Sequence, residues 1–180
     1  MKRRLQRFLL SLPVFEACCR LLTRKQIRAL MYHRFSEQAT ADSRFVDAAT
    51  LAAQLAYIRR HHTPITPDDH LAQHTTGVRP AGPCPVVVTV DDGYRDLLEI
   101  AHPRFRDAGI PVMLFMTTSL ADGDFWFWWD KIEYLLGEAE AAEFELDVLG
   151  RGITLDLRSA AGRKQAWSDV ADRCRFAPND

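Results

Sequence analysis

The sequence predicts an α/β fold built on parallel strands, and three observations point to it. Residues 86–90 form an unbroken run, Val-Val-Val-Thr-Val, of the β-branched kind buried on both faces of a parallel sheet. Residues 111–116 supply a second apolar run, and a helical pattern over 94–108 lies between the two. Strand, helix and strand at this spacing imply a right-handed parallel crossover. At 180 residues, 47% hydrophobic and 26% charged, the composition is that of one globular domain with an ordinary core. A net charge of −1 gives no field that would gather nucleic acid, so no such partner is expected.

Residues 1–26 read as a basic amphipathic helical segment. Lys2, Arg3, Arg4 and Arg7 precede an apolar run, and Leu5, Phe8, Leu9, Leu12, Phe15 and Cys19 recur at intervals of three and four. The run is too short to span a bilayer and no small-residue cleavage site follows it. Docking on the domain and peripheral contact with a membrane are both open to such a helix. Cys18, Cys19, Cys84 and Cys174 lack the paired spacings of a structural zinc site and read as reduced thiols. The expected location is therefore the cytoplasm, with membrane association through the N-terminal helix.

Residues 28–33, Arg-Ala-Leu-Met-Tyr-His, read as a buried strand that leaves His33 at its end, followed by a polar loop over 34–43. Leu51, Leu55 and Ile58, with Ala48 and Ala52, mark a helix that stops before Pro64. Thr66-Pro67-Asp68-Asp69 then combines a hydroxyl cap, a first-turn proline and first-turn carboxylates, and this helix ends before Gly77. After a proline-rich connector comes the strand 86–90, closed by Asp91-Asp92-Gly93. In the helix 94–108 Pro103 marks a kink, and Gly109 terminates it. Further on, a helix through Leu136, a second helical stretch over 138–145, a strand over 153–157 and a helix over 159–173 are expected. Phe125 to Trp129 reads as an aromatic cluster used for packing, although such faces also stack on sugars.

Ligands of parallel sheets bind beyond the carboxyl ends of the strands, which is where Asp91 and Asp92 fall. Adjacent carboxylates there cannot both enter a packed core; one or both must face a metal, a donor or water. A metal-bound carboxylate beside a free one suits hydrolysis, and Gly93 permits a sharp turn and room for a substrate. An ordinary Asp-Asp-Gly turn is the bland alternative. A phosphate-handling domain with Asp91 as nucleophile is another, although its usual Asp-x-Asp spacing is absent, as is an acceptor on the next strand.

With Thr89-Val90-Asp91-Asp92-Gly93-Tyr94, the helix containing Pro103, the sequence Ala108-Gly-Ile-Pro-Val-Met-Leu-Phe115 and Leu30-Met-Tyr-His33, residues 28–120 resemble the polysaccharide deacetylase family of the NodB type. The family's first motif is Thr-Phe-Asp-Asp-Gly; Val90 stands here for its phenylalanine. The resemblance implies that the chain forms the N-terminal portion of a distorted parallel (β/α) barrel. It also implies a metal-dependent hydrolase that removes acyl groups, usually acetyl, from amino sugars of an N-acetylated polysaccharide or glycan. Asp91 would be the general base and Asp92 a ligand to a divalent metal, with zinc expected, while His33, Gly93 and Tyr94 would line the site. The domain would span 27–180, with a Trp-rich helical insertion from about residue 124.

The family's His-Ser/Thr-x-x-x-His motif supplies two further metal ligands, but the only histidine after Asp91 is His102, in the Pro103 helix. The Arg loop and the Leu-x-His motif are also absent. His70 and His74 are four apart on one helix, as metal-binding pairs can be, yet they precede the acidic strand and read as surface residues, as do His61 and His62. The resemblance therefore implies that the 180 residues stop inside the insertion and release acetate weakly or not at all. The alternative is a catalytically inactive carbohydrate-binding or scaffold remnant of the same fold.

Overall fold

Val86 is paired on both of its edges, with Arg28 on one side and Pro64 on the other, which fixes its strand at the centre of the sheet. The computed structural model describes residues 13–78, 82–123, 125–148 and 150–175. The expected stripe positions Leu5, Phe8, Leu9 and Leu12 lie outside the described residues. The chain divides into two compact units, Met1–Thr118 and Ser119–Asp180.

In the first unit the elements run α1 (Pro13–Leu22), β1 (Arg28–Tyr32), β2 (Arg34–Ser36), β3 (Phe45–Asp47), α2 (Ala48–His61), β4 (Thr63–Pro64), α3 (Pro67–Thr76) and β5 (Pro85–Asp92). A π-helical segment (Leu97–Ala101), α4 (His102–Asp107) and β6 (Val112–Met116) follow, and α5 (Thr118–Ala121) spans the boundary between the units. Strand β5 pairs in parallel with β1, β4 and β6. The register puts β1 along one edge, while β4 shares the other edge at the strand's start with β6 at its end. The expected α/β class with parallel strands is what the chain forms. Among the described residues no strand closes this sheet into a barrel.

Val86, Val88 and Val90 point to one face and are buried there with Phe35, Leu51, Leu55, Ile58, Ala101, Phe105 and Ile110. Val87, on the other face, is 6% exposed, so β5 is covered on both sides as its β-branched run implies. Burying each such side chain contributes about 1.5–3 kcal/mol before conformational entropy is counted.

Pro103 explains the helix that differs from its expected form. Without an N–H, proline cannot bond to the carbonyl four residues back, and its ring crowds that carbonyl. The backbone widens over Leu97–Ala101, with the His102 N–H reaching Leu97 O, and becomes α-helical only from His102. The C-terminus closes as expected at Gly109 (φ 63°), where Ile110 N–H bonds Phe105 O and Gly109 N–H bonds Arg106 O, a Schellman arrangement. The loop expected over 34–43 is partly a strand: Arg34–Ser36 pairs in parallel with Phe45–Asp47. Three residues are too few to show a period, so no local pattern marks this strand.

Two carboxylates secure the helices on either side of β4. Asp47 caps α2, accepting from the Thr50 hydroxyl at 2.6 Å and the Thr50 amide at 2.9 Å. Thr66 and Asp69 form the capping box of α3, Asp69 accepting from the Thr66 amide at 2.9 Å and hydroxyl at 2.8 Å. These bonds hold both carboxyls below the ordinary value of 3.8. A group whose folded pKa is depressed contributes stability above its unfolded pKa and loses it as pH falls through the folded one. The thermal unfolding midpoint should thus fall as pH drops below 3.8, and less steeply in the double variant Asp47→Asn, Asp69→Asn. Equal slopes for the two proteins would show that the caps do not couple to folding.

The second unit contains α6 (Trp128–Glu138), β7 (Glu143–Val148), β8 (Arg151–Asp156) and α7 (Ala160–Cys174). Strands β7 and β8 form an antiparallel pair, which overturns the helical expectation over 138–145. Glu and Ala favour helix only weakly, whereas Phe144, Leu146 and Val148 alternate with polar residues at the period of a strand. Arg163 closes α6, donating to the carbonyls of Leu136, Gly137 and Ala139. Those carbonyls have no partner within their helix, and the guanidinium supplies one. Leu155, Leu157, Ala166 and Val170 form the core of this unit.

The aromatic cluster is less buried than expected. Phe127 is 5% exposed and stacks on Trp129 at 4.6 Å, but Phe125, Trp126 and Trp128 are 37%, 49% and 40% exposed. Phe125 and Trp126 precede α6 and are not held against its core-facing side.

Candidate active site

The carboxylates lie on the strand itself: β5 continues through Asp91 and Asp92, which pair in register with Phe115 and Met116. The strand then ends in a tight reversal. Gly93 N–H bonds Asp91 O at 2.9 Å, which closes a γ-turn on Asp92 at φ 72°. Positive φ is costly for a residue with a Cβ, so the turn stores strain beside the carboxylates. Gly93 follows at φ 87°, and a Cβ built on it would meet Met116 Cγ at 2.9 Å. Met116 therefore packs directly against Gly93. Gly93→Ala should cost about 1–3 kcal/mol, since strained φ and close contact act together. A urea unfolding midpoint equal to that of the unsubstituted chain would contradict this.

His33 is the first residue after β1, at the same end of the sheet. Its Nε2 stands 3.9 Å from Asp91 Oδ2, with side-chain exposures of 44% for His33 and 27% for Asp91. The gap is longer than a direct hydrogen bond and within the range of an ion-pair contact. The other oxygen, Asp91 Oδ1, is buried without a hydrogen-bond partner. A buried carboxylate oxygen in that state is destabilising unless a substrate, an ion or water completes it.

Tyr94 is held by residues that sequence reasoning missed. The Arg34 guanidinium lies 3.8 Å from the Tyr94 ring centroid and 4.6 Å from that of Phe45, and Arg34 Nε donates to Asp96 Oδ2 at 2.6 Å. Their side chains are 26% and 13% exposed, so the pair is largely desolvated and removing either partner is expensive. Arg34 thus joins the end of β1 to the loop after β5. The only signal in the sequence was its position directly after His33, within a segment read as a polar loop.

Catalytic zinc sites use three protein ligands and an open position. Among the described residues no group of three or more His, Cys, Asp or Glu side chains converges to hold an ion. These residues do not fit a self-sufficient zinc centre; of the expected ligand set the corner holds Asp92 alone. His102 is exposed at the start of α4. His61 and His62 contact the Tyr57 ring, and His62 Nδ1 lies 3.2 Å from Cys84 O.

No protein-family profile and no curated protein matches the sequence. Among solved structures, the Streptococcus pyogenes deacetylase PplD in complex with acetate is similar, with 19% identity over 63% of this chain and 53% of that chain and a TM-score of 0.50. IcaB from Ammonifex degensii is similar at 24% identity, 62% and 48% coverage and a TM-score of 0.47. The chain spans about half the length of each of these two structures. The parallel sheet and its likeness to PplD show that this chain has a NodB-type polysaccharide deacetylase fold.

Proposed function

We propose that this chain contributes the acidic corner of a hydrolase that removes acetyl groups from the amino sugars of a polysaccharide or glycan. The observation that carries the reading is Asp91: one oxygen faces His33, and the other is buried without a partner at the carboxyl end of the central strand. On this fold such a carboxylate suits a general base. Water adds to the acyl carbonyl as Asp91 takes its proton, the C–N bond breaks, and the departing amine receives the proton as acetate is released. His33 stands beside the Asp91 carboxylate, while Tyr94 is fixed by Arg34. Asp92 adds a second carboxylate beside it.

The test is acetate release from penta-N-acetylchitopentaose, with and without added zinc. A weak rate that depends on Asp91 is expected. Release no greater than the buffer blank under both conditions would sink the hydrolase reading and leave the second one, a catalytically inactive carbohydrate-binding domain. That second reading has its own observation, an open depression of about 390 Å³ lined by Leu120, Gly123, Phe125, Trp126, Phe127 and Asp130. Aromatic faces beside a carboxylate can hold a sugar ring.

A further inference from the structure

Helix α1 exposes Val14, Phe15, Leu21 and Leu22 at 73%, 42%, 63% and 82%, and Cys18 is exposed as well. At about 100° per residue these five positions share an arc of about 120°, so an apolar stripe faces outward. Charge is concentrated in the same stretch. Residues 1–25 carry seven of the 23 Lys and Arg but, of the 24 Asp and Glu, only Glu16. The rest of the chain is consequently net acidic.

We propose that the N-terminal basic segment and α1 dock this protein on an anionic lipid surface. The stripe enters the boundary between headgroups and acyl chains, and the basic charge of residues 1–25 is attracted to the anionic headgroups. Charge complementarity selects this occupant: a neutral surface offers nothing to the basic residues, and the acidic remainder of the chain is repelled from anionic lipid. Contact is peripheral, because no described helix is long and apolar enough to cross a membrane.

The attachment of α1 sets the orientation. Arg24 O accepts from Cys84 N at 2.9 Å immediately before β5, and Arg28, the first residue of β1, donates to the Thr23 hydroxyl. The helix is thereby tied to the amino ends of β1 and β5. Asp91 and Asp92 lie at the opposite end of β5, about 20 Å away at about 3.3 Å per residue. Once docked, the protein directs its acidic corner away from the lipid.

Co-sedimentation of the full chain with vesicles tests this, using phosphatidylcholine with phosphatidylglycerol against phosphatidylcholine alone. Binding to the anionic vesicles is expected, weakened at least tenfold by the double substitution Leu21→Glu, Leu22→Glu. Both side chains are exposed, so near-UV circular dichroism should show an unchanged fold. Replacing Arg3, Arg4 and Arg7 with Gln should weaken binding about 100-fold, at about fivefold per charge. Equal binding to neutral vesicles, or undiminished binding by the Leu21, Leu22 variant, overturns the proposal. So does a dimer in sedimentation velocity that the same variant dissociates, since the stripe would then belong to a second copy.

Discussion

Asp91→Asn is expected to lower acetate release by about 10²–10⁴-fold, the usual contribution of a positioned proton acceptor, and also to make the chain more stable. The first effect follows because an amide cannot take a proton from water at neutral pH, yet it has nearly the same shape as the carboxylate. The second follows from the buried oxygen of Asp91 that lacks a partner. An amide there carries no charge to desolvate, and relief of about 1 kcal/mol is expected, which in a domain of this size raises the unfolding midpoint by about 2–4 °C. The strained Asp92 turn beside it has the same character, a local cost that the surrounding sheet sustains. Acetate assays and thermal unfolding on one preparation of each protein separate the outcomes. A lower rate with a lower midpoint would make Asp91 a structural residue, and an unchanged rate would remove it from the chemistry.

The elements legible in the sequence were those whose local signal agrees with their tertiary role. The valine run of β5 is apolar because both faces are covered, and the Thr66 cap is legible because its bonds are local. The segment 138–145 was misread because weak helix propensity masked a strand whose partner is β8, and no short window contains that partner. In the candidate site, Asp91, Asp92 and Gly93 were visible as neighbours, and His33 because it ends a strand. Arg34 and Asp96 were not, since their relation spans 62 residues and exists only once β1 and β5 are adjacent. The contact between Gly93 and Met116 was equally hidden, because Met116 arrives there on another strand.

Phe105→Ala is expected to destabilise the first unit by about 3–5 kcal/mol, the range for removing a buried aromatic. Phe105 is 1% exposed and meets Tyr32 edge-on at 5.8 Å and Phe35 at 6.3 Å. Neither neighbour can easily fill the void. Tyr32 is held by its hydroxyl's 2.9 Å bond to Gln54 Oε1, and burial pushes that hydroxyl's pKa up. Phe35 is confined within β2. The rigid lining keeps the cavity open, which places the cost toward the upper end of the range. Tyr32 and Phe35 flank His33 and Arg34 in the chain, so loosened packing at Phe105 reaches the acidic corner through its backbone. A urea midpoint lowered in proportion, with weaker substrate binding at concentrations where the variant is still folded, is the expected pair of results. If stability fell while substrate binding stayed at its original strength, this core would stabilise the fold without positioning the site.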